Sequence, residues 1–377
     1  MTCRHFGVCG GCSLPGVPYA EQLAAKQARL GRWFGASRLR PILPSPREVA
    51  FRHKVAFVFA PEAASPRIVM GHYRAGSTRV VPVEECPVHS DRGNRLAFAL
   101  RDRLAEGRVP AGVLRHVLIR TTADQREATL MLVVTRNHKS LRAPVHALIE
   151  SADRPDGTFI NIHDRPGPFM VGRETIRVDG RTHVREDMLG TSFQISPTAF
   201  FQTNIGAARE LLRVALDEVG DATRVLDLYS GAGLFAIPLA RRGARVVAVE
   251  EHRQSVRDAG ANLRLNRVPD GSVRLVVSRA EDALGSRARD RFDAVVLDPP
   301  RQGCPERVIR GVTATGAAKL VYVSCNPERL ADETPRFEEA GYRLVRIQPV
   351  DMFPHTEHIE VVATFEPERG EKRKRMR

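Results

Sequence analysis

Aromatic residues are scarce in this chain, 6% of 377 residues with a single Trp. No run of 18 apolar residues exists, which excludes a membrane-spanning helix. The opening Met1-Thr2-Cys3-Arg4-His5 lacks the apolar stretch of a signal peptide, so a cytoplasmic protein is expected. No internal repeat and no low-complexity linker interrupts the text, which argues against a solenoid or a disordered chain. There are six cysteines. In a reducing compartment, clustered thiols serve as metal ligands or catalysts more often than as disulfides.

What the chain has in excess is positive charge: 58 Lys and Arg against 44 Asp and Glu, a net +14. That balance points to a polyanionic partner such as nucleic acid, although an arginine-rich composition alone would also produce it. The basic tail from Arg369 to Arg377 reads as a solvated end. Arg52, His53, Lys54, Arg74 and Arg79 are candidates for contacts with a nucleic-acid backbone, with a solvated β-surface as the equal alternative.

The length suits two domains. A smaller α+β domain is expected over 1–190. It has a helix near 19–30, strands near 51–60, 68–73 and 79–83, a helix over 91–107, and strands at 114–121 and 128–135. From 191 the pattern becomes α/β: a helix over 199–219, then strands at 225–228, 244–250, 273–278, 294–298 and 320–324 alternating with helices. Such alternation implies βαβ units and a Rossmann-like, mostly parallel sheet with helices on both faces. The run 342–365 could supply an antiparallel closing hairpin.

Ligands of open α/β sheets bind outside the carboxyl ends of the strands. Asp227-Leu228-Tyr229-Ser230-Gly231-Ala232-Gly233 is a strand followed by a tight glycine turn, and Glu250 ends the next strand, placed for ribose hydroxyls. The third glycine of a dinucleotide fingerprint is absent, which favours S-adenosylmethionine over NAD. Asp282, after the third strand, is a candidate for the adenine or simply an exposed loop acid. Asp298-Pro299-Pro300-Arg301 closes the fourth strand and Ser324-Cys325-Asn326-Pro327 the fifth. Amino-group methyltransferases carry an aromatic where Arg301 stands, so the pairing with a thiol points toward a ring carbon, which a thiolate can activate by addition. Cys304 reads as packing. At the other end, Cys3-x5-Cys9-x2-Cys12 with the remote Cys86 supplies four thiols, suited to tetrahedral zinc or a [4Fe–4S] cluster.

Taken in order, Phe200-Phe201-Gln202-Thr203-Asn204, Asp227 to Phe235, Val249-Glu250, Asp298 to Gly303, Ser324 to Pro327 and His358-Ile359-Glu360 resemble the RNA uracil-C5 methyltransferase family over essentially the whole length. The resemblance implies a class I methyltransferase domain over 191–377, preceded by the α+β domain with an iron–sulfur cluster loop. It implies S-adenosylmethionine contacts at Gln202, Tyr229 and Glu250, with Asp298 at the junction of cofactor and uracil. It implies Cys325 as the nucleophile that adds to C6 of uracil, Glu360 as the base that removes the C5 proton, and Cys3, Cys9, Cys12 and Cys86 as ligands of a [4Fe–4S] cluster without a redox step. A chain that starts at the cysteine loop, with no preceding β-barrel module, most resembles the branch that methylates uracil 747 of 23S ribosomal RNA. The alternatives are another ribosomal or transfer-RNA uridine and, in a different class, a non-catalytic iron–sulfur RNA-binding protein. The partner is RNA, not membrane. The oligomeric state is open, with a monomer the expectation.

Overall fold

The computed structural model describes residues 1–14, 16–62, 68–165, 170–286 and 290–368. The basic tail lies outside these residues. In chain order the elements are α1 (Tyr19–Phe34), β1 (Lys54–Pro61), β2 (Ile68–Tyr73), β3 (Val80–Pro82), α2 (Asp91–Glu106), β4 (Leu114–Thr121), β5 (Ala128–Val134), α3 (Arg142–Ile149), β6 (Gly157–Ile162), β7 (Glu174–Gly180), β8 (Val184–Met188) and β9 (Thr191–Ile195). They continue with α4 (Ile205–Val219), β10 (Arg224–Leu228), α5 (Ala236–Arg241), β11 (Arg245–Glu250), α6 (Arg253–Leu265), β12 (Val273–Val277), α7 (Ala280–Ser286), β13 (Ala294–Leu297), α8 (Glu306–Ala314), β14 (Lys319–Ser324), α9 (Pro327–Glu339), β15 (Tyr342–Val350) and β16 (Glu360–Pro367).

Two seven-stranded sheets form among the described residues. The first runs β3-β2-β1-β4-β5-β6-β7, antiparallel except where β5 and β6 pair in parallel across α3. The second runs β12-β11-β10-β13-β14-β16-β15. Its first five strands are parallel, and the expected hairpin closes it antiparallel. The order reverses direction between β10 and β13, which opens a crevice at their carboxyl ends. Both faces of this sheet are covered: Val225, Val296, Val321 and Val323 enter one core, while Leu226, Val295, Leu320 and Tyr322 enter the other. Alternate residues point to opposite faces, so strands buried twice over read as unbroken apolar runs.

The structure departs from the sequence-based expectations in four places. The helix expected from 199 begins at Ile205, because the Asn204 side chain caps it by accepting from Ala207 N at 3.2 Å. Residues 199–204 are thereby left outside the helix. The expected division at 190/191 falls inside the β8–β9 hairpin, whose Val184, Met188, Phe193 and Ile195 pack into one core of the second sheet. Helix α1 also belongs to that half, with Leu30 and Phe34 in its other core. Finally, His53 is buried against Thr121, and Arg52 and Lys54 are only half-exposed; of the five basic candidates, Arg74 and Arg79 are exposed. No helix among the described residues is long and apolar enough to cross a membrane.

Candidate active site

Two clefts meet at the carboxyl ends of β10, β13 and β14. The first, about 470 Å³, is lined by Tyr229, Glu250, Ser278, Glu281, Pro300 and Cys304 among others. The chain leaves β10 through Tyr229 at φ 63°, a strained conformation for a bulky residue, and turns at Gly231 (φ 55°) and Gly233 (φ 92°). A Cβ on Gly233 would lie 2.7 Å from Ile237 Cδ1, so only glycine lets α5 start there. Glu250 is fixed by two backbone donors: Gly231 N to Oε2 at 2.9 Å and His252 N to Oε1 at 2.7 Å. Its remaining lone pairs are free to accept from a ribose. Asp282 is exposed, and the neighbouring Glu281 is the residue that lines the cleft.

The floor of this cleft is organised by a residue the sequence reading missed. Glu333 on α9 accepts from Cys304 N at 2.9 Å, Arg329 Nε at 3.0 Å and the Tyr322 hydroxyl at 2.8 Å. Gly303 (φ 78°) admits it, since a Cβ there would be 2.0 Å from Glu333 Oε1. Cys304 is packed as expected, 1% exposed, with the hydroxyls of Tyr229 and Tyr322 on its sulfur. Arg329 lies one turn before Glu333, and that i, i+4 pairing is the signal a reader could have used.

The second cleft, about 840 Å³, holds Gln202, Cys325, Glu360, Arg301 and His358, with Phe200 at 66% exposure on its wall. Strand β14 pairs antiparallel with β16 up to Ser324 opposite Val361, so Cys325 and Glu360 come next on facing strands. Asn326 ties two loops together: its side chain donates to Arg301 O at 3.0 Å and caps α9 by accepting from Arg329 N. Arg301 Nη2 donates to His358 Nδ1 at 3.2 Å. Gln202, 5% exposed, sits in this cleft rather than beside Tyr229 and Glu250.

The electrostatics are those of a crowded acidic site. Burial, with Asp298 adding to it, pushes Glu360 up to about 8. Burial alone pushes Asp298 up to about 7. Burial, then Glu360 and Asp298, push the Cys325 thiol up to about 11, with the Arg301 guanidinium opposing them. Cys325 and Glu360 thus line one cleft, and the nearby Asp298 adds to the upward shift of both.

A family model described as tRNA (uracil-5-)-methyltransferase matches residues 169–366. An RNA methyltransferase of Geobacter sulfurreducens is 32% identical over 96% of this chain and 76% of its own length. Another, of Thermosynechococcus vestitus, is 33% identical over 96% of this chain and 83% of its own. The chain belongs to the tRNA (uracil-5-)-methyltransferase family. Among solved structures, the Pyrococcus abyssi tRNA (uracil-54, C5)-methyltransferase in complex with S-adenosyl-L-homocysteine superimposes with a TM-score of 0.81, at 27% identity, over 95% of this chain and 84% of that one. The second sheet is therefore that of a class I S-adenosylmethionine-dependent methyltransferase, with the antiparallel hairpin making it mixed.

In this family member the thiols distant in sequence reach the same cleft. Cys3, Cys9, Cys12 and Cys86 all line its far end. The N-terminal loop docks through Gly10 N on Tyr73 O at 2.9 Å, an approach that leaves no room for a side chain: a Cβ on Gly10 would sit 2.9 Å from the same oxygen. Arg4 adds exposed ion pairs to Glu84 and Glu85 at 2.9 and 3.4 Å, worth little in energy but consistent in direction. Burial is the main cause that pushes Cys12 up to about 11 and Cys86 to about 12, and neighbouring thiols add to both. A bound cation would invert that logic and deprotonate them. His72 and His89 bring their ring nitrogens within 4.8 Å of Cys86, a grouping that no motif in the sequence announces.

Proposed function

We propose that this chain methylates C5 of a uridine in 23S ribosomal RNA, uracil 747 in the reading taken from its sequence, and does so through a covalent adduct. The observation that carries the chemistry is the β14–β16 register, which brings Cys325 and Glu360 to facing positions beside Asp298. Bound S-adenosylmethionine supplies an electrophilic methyl on a sulfonium sulfur; Tyr229 and Glu250 in the first cleft would hold it, with Gln202 reaching it from the second and Asp298 between strand end and substrate. Asp298 would also accept from the imide edge of the uracil.

The Cys325 thiol loses its proton to solvent and the thiolate sulfur bonds to C6, so electron density moves to C5. C5 then takes the methyl carbon as the sulfonium carbon–sulfur bond breaks. Glu360 accepts the C5 proton, and the electron pair left behind expels Cys325 from C6, restoring the ring and the thiolate. Arg301 opposes the rise in the thiol pKa and so favours the first step. The target uridine must be unstacked to expose C5 and C6, which is least costly in a loop.

Cys3, Cys9, Cys12 and Cys86 would hold a [4Fe–4S] cluster, whose chemistry here is a covalent tie between the N-terminal loop and the segment before α2. A single tetrahedral zinc would need thiolates roughly 4 Å apart. These four thiols all line one cleft, whereas the group gathered within 4.8 Å among the described residues is Cys86 with His72 and His89.

A transfer-RNA uridine is the second reading, favoured by the likeness to the Pyrococcus abyssi enzyme. Unmodified transcripts of 23S ribosomal RNA and of transfer RNA, offered with labelled S-adenosylmethionine and followed by mapping of 5-methyluridine, separate the two. Methylation of the ribosomal transcript alone is expected. Labelling only of transfer RNA would replace the first reading with the second, and no S-adenosylmethionine binding at all would leave a non-catalytic RNA-binding protein.

A further inference from the structure

Glu360 is reached through residues 351–359, a segment without regular secondary structure that also carries His358. Within its own half this turn is tied by Asn204 Nδ2 to Met352 O at 3.1 Å and by Arg301 to His358, but most of its side-chain and backbone ties come from the N-terminal fifty residues. Lys26, 2% exposed, pairs with Asp351, 0% exposed, at 2.7 Å and also donates to Phe353 O at 3.1 Å. The Tyr19 hydroxyl donates to Asp351 Oδ2 at 2.9 Å and accepts from Ser45 N at 2.8 Å. His355 adopts φ 64°, a conformation few histidines take. Gln22 fixes it there, accepting from His355 N at 2.7 Å and meeting its Nδ1 at 3.1 Å, while His355 Nε2 meets Glu48 O at 2.9 Å. The His355 carbonyl accepts from Ser13 N and Leu14 N, which directly follow Cys12.

Helix α1 therefore buries one stripe made of two kinds of residue. Leu30 and Phe34 at its end fill a core, whereas Gln22 and Lys26 at its start are spent on the turn. A buried ion pair stabilises little compared with apolar residues of the same volume, and its best-attested use is to specify one geometry.

We propose that Lys26 and Asp351 are positioning residues for proton abstraction: their buried pair, with Gln22 and His355, fixes the 351–359 turn and so the placement of Glu360. The inference rests on Glu360 being the base of the proposed reaction. A shift of about 1 Å in a reacting group can slow a step by ~100-fold. The step slowed here is the third of the reaction, after sulfur–carbon bond formation and methyl transfer. An enzyme with a loosened turn should therefore stall as the methylated covalent adduct.

The test uses the full chain with whichever of the two transcripts it methylates. Lys26→Met/Asp351→Leu removes both charges together, so that neither is left buried alone, and Tyr19→Phe removes a single hydroxyl from the same network. Turnover, the adduct surviving a denaturing gel, and S-adenosylmethionine binding are measured together, with Glu360→Gln as the reference. Expected are turnover lowered by roughly 10- to 100-fold in the double variant and less in Tyr19→Phe, adduct accumulating in both, and unchanged S-adenosylmethionine affinity. Adduct in Glu360→Gln but none in the two network variants would overturn the positioning role alone. So would a parallel loss of adduct and turnover, or unchanged turnover. No adduct in Glu360→Gln would instead remove the base, and the proposal with it.

Discussion

The two ends of the larger cleft are both built on thiols, and at both ends burial is the first cause that pushes the thiols up. They differ in what surrounds the sulfur. Cys325 faces two carboxyls and a guanidinium, groups that can pass a proton or stabilise a charge that forms and disappears. Cys12 and Cys86 are pushed further up by neighbouring thiols, with the Arg52 guanidinium opposing the rise at Cys12 and the rings of His72 and His89 beside Cys86. In the proposed reading a lone thiol beside carboxyls serves turnover, and the clustered thiols serve permanent ligation. The difference between catalysis and structure lies in the neighbours rather than in the cysteine.

The largest expected effect separates the two ends most sharply. Cys325→Ala should lower methyl transfer by at least on the order of 10⁴-fold while leaving metal content and S-adenosylmethionine binding intact. Metal analysis and filter binding on the same preparation check this, and residual turnover near that of the natural chain would break the comparison. Cys86→Ser should do the reverse: lost metal, lost visible absorbance, and a Tm lower by roughly 10 °C, if the bound group contributes about 4 kcal/mol. Anaerobic metal analysis with calorimetry reads it. One zinc per chain would replace the cluster with a mononuclear site, for which His72 and His89 stand beside Cys86.

A smaller effect concerns pH. Glu360 has its folded value near 8 against an ordinary 4.5, so between those values the folded state binds the extra proton. Stability is fully retained below about pH 4.5 and falls as pH rises through the folded value, because ionising the buried carboxyl is what costs. Glu360→Gln removes that cost. Its Tm should match the natural chain at pH 5 and exceed it at pH 8.5 by roughly 3 °C. An equal Tm at both values would mean that the cleft solvates Glu360 more than its burial implies.

Much of the second sheet was legible because strands buried on both faces leave continuous apolar runs, and their carboxyl ends then mark Tyr229, Glu250, Asp298 and Cys325. The start of α4 was less so. Ala199 to Gln202 carry apolar residues that fit a helix, and only the Asn204 cap sets the boundary. Helix α1 announced a buried face but not the surface it meets, since periodicity carries no information about partners. The basic strand start was misread because Phe51 to Ala60 alternates, turning His53 inward. Lys26 and Gln22 were invisible for a related reason. A buried charge looks like a surface charge until its partner, 325 residues away for Lys26, is in place.

The central claim is that Cys325, and none of the other five cysteines, bonds to the substrate base. Incubating the full chain with S-adenosylmethionine and 5-fluorouridine-substituted RNA tests it, since fluorine at C5 cannot leave as a proton does and the reaction halts as a methylated adduct. Mass spectrometry of the digested complex should find the nucleotide on the peptide containing Ser324-Cys325-Asn326. No adduct, or one mapped to Cys304 or to a cysteine of the distant end, would contradict the account.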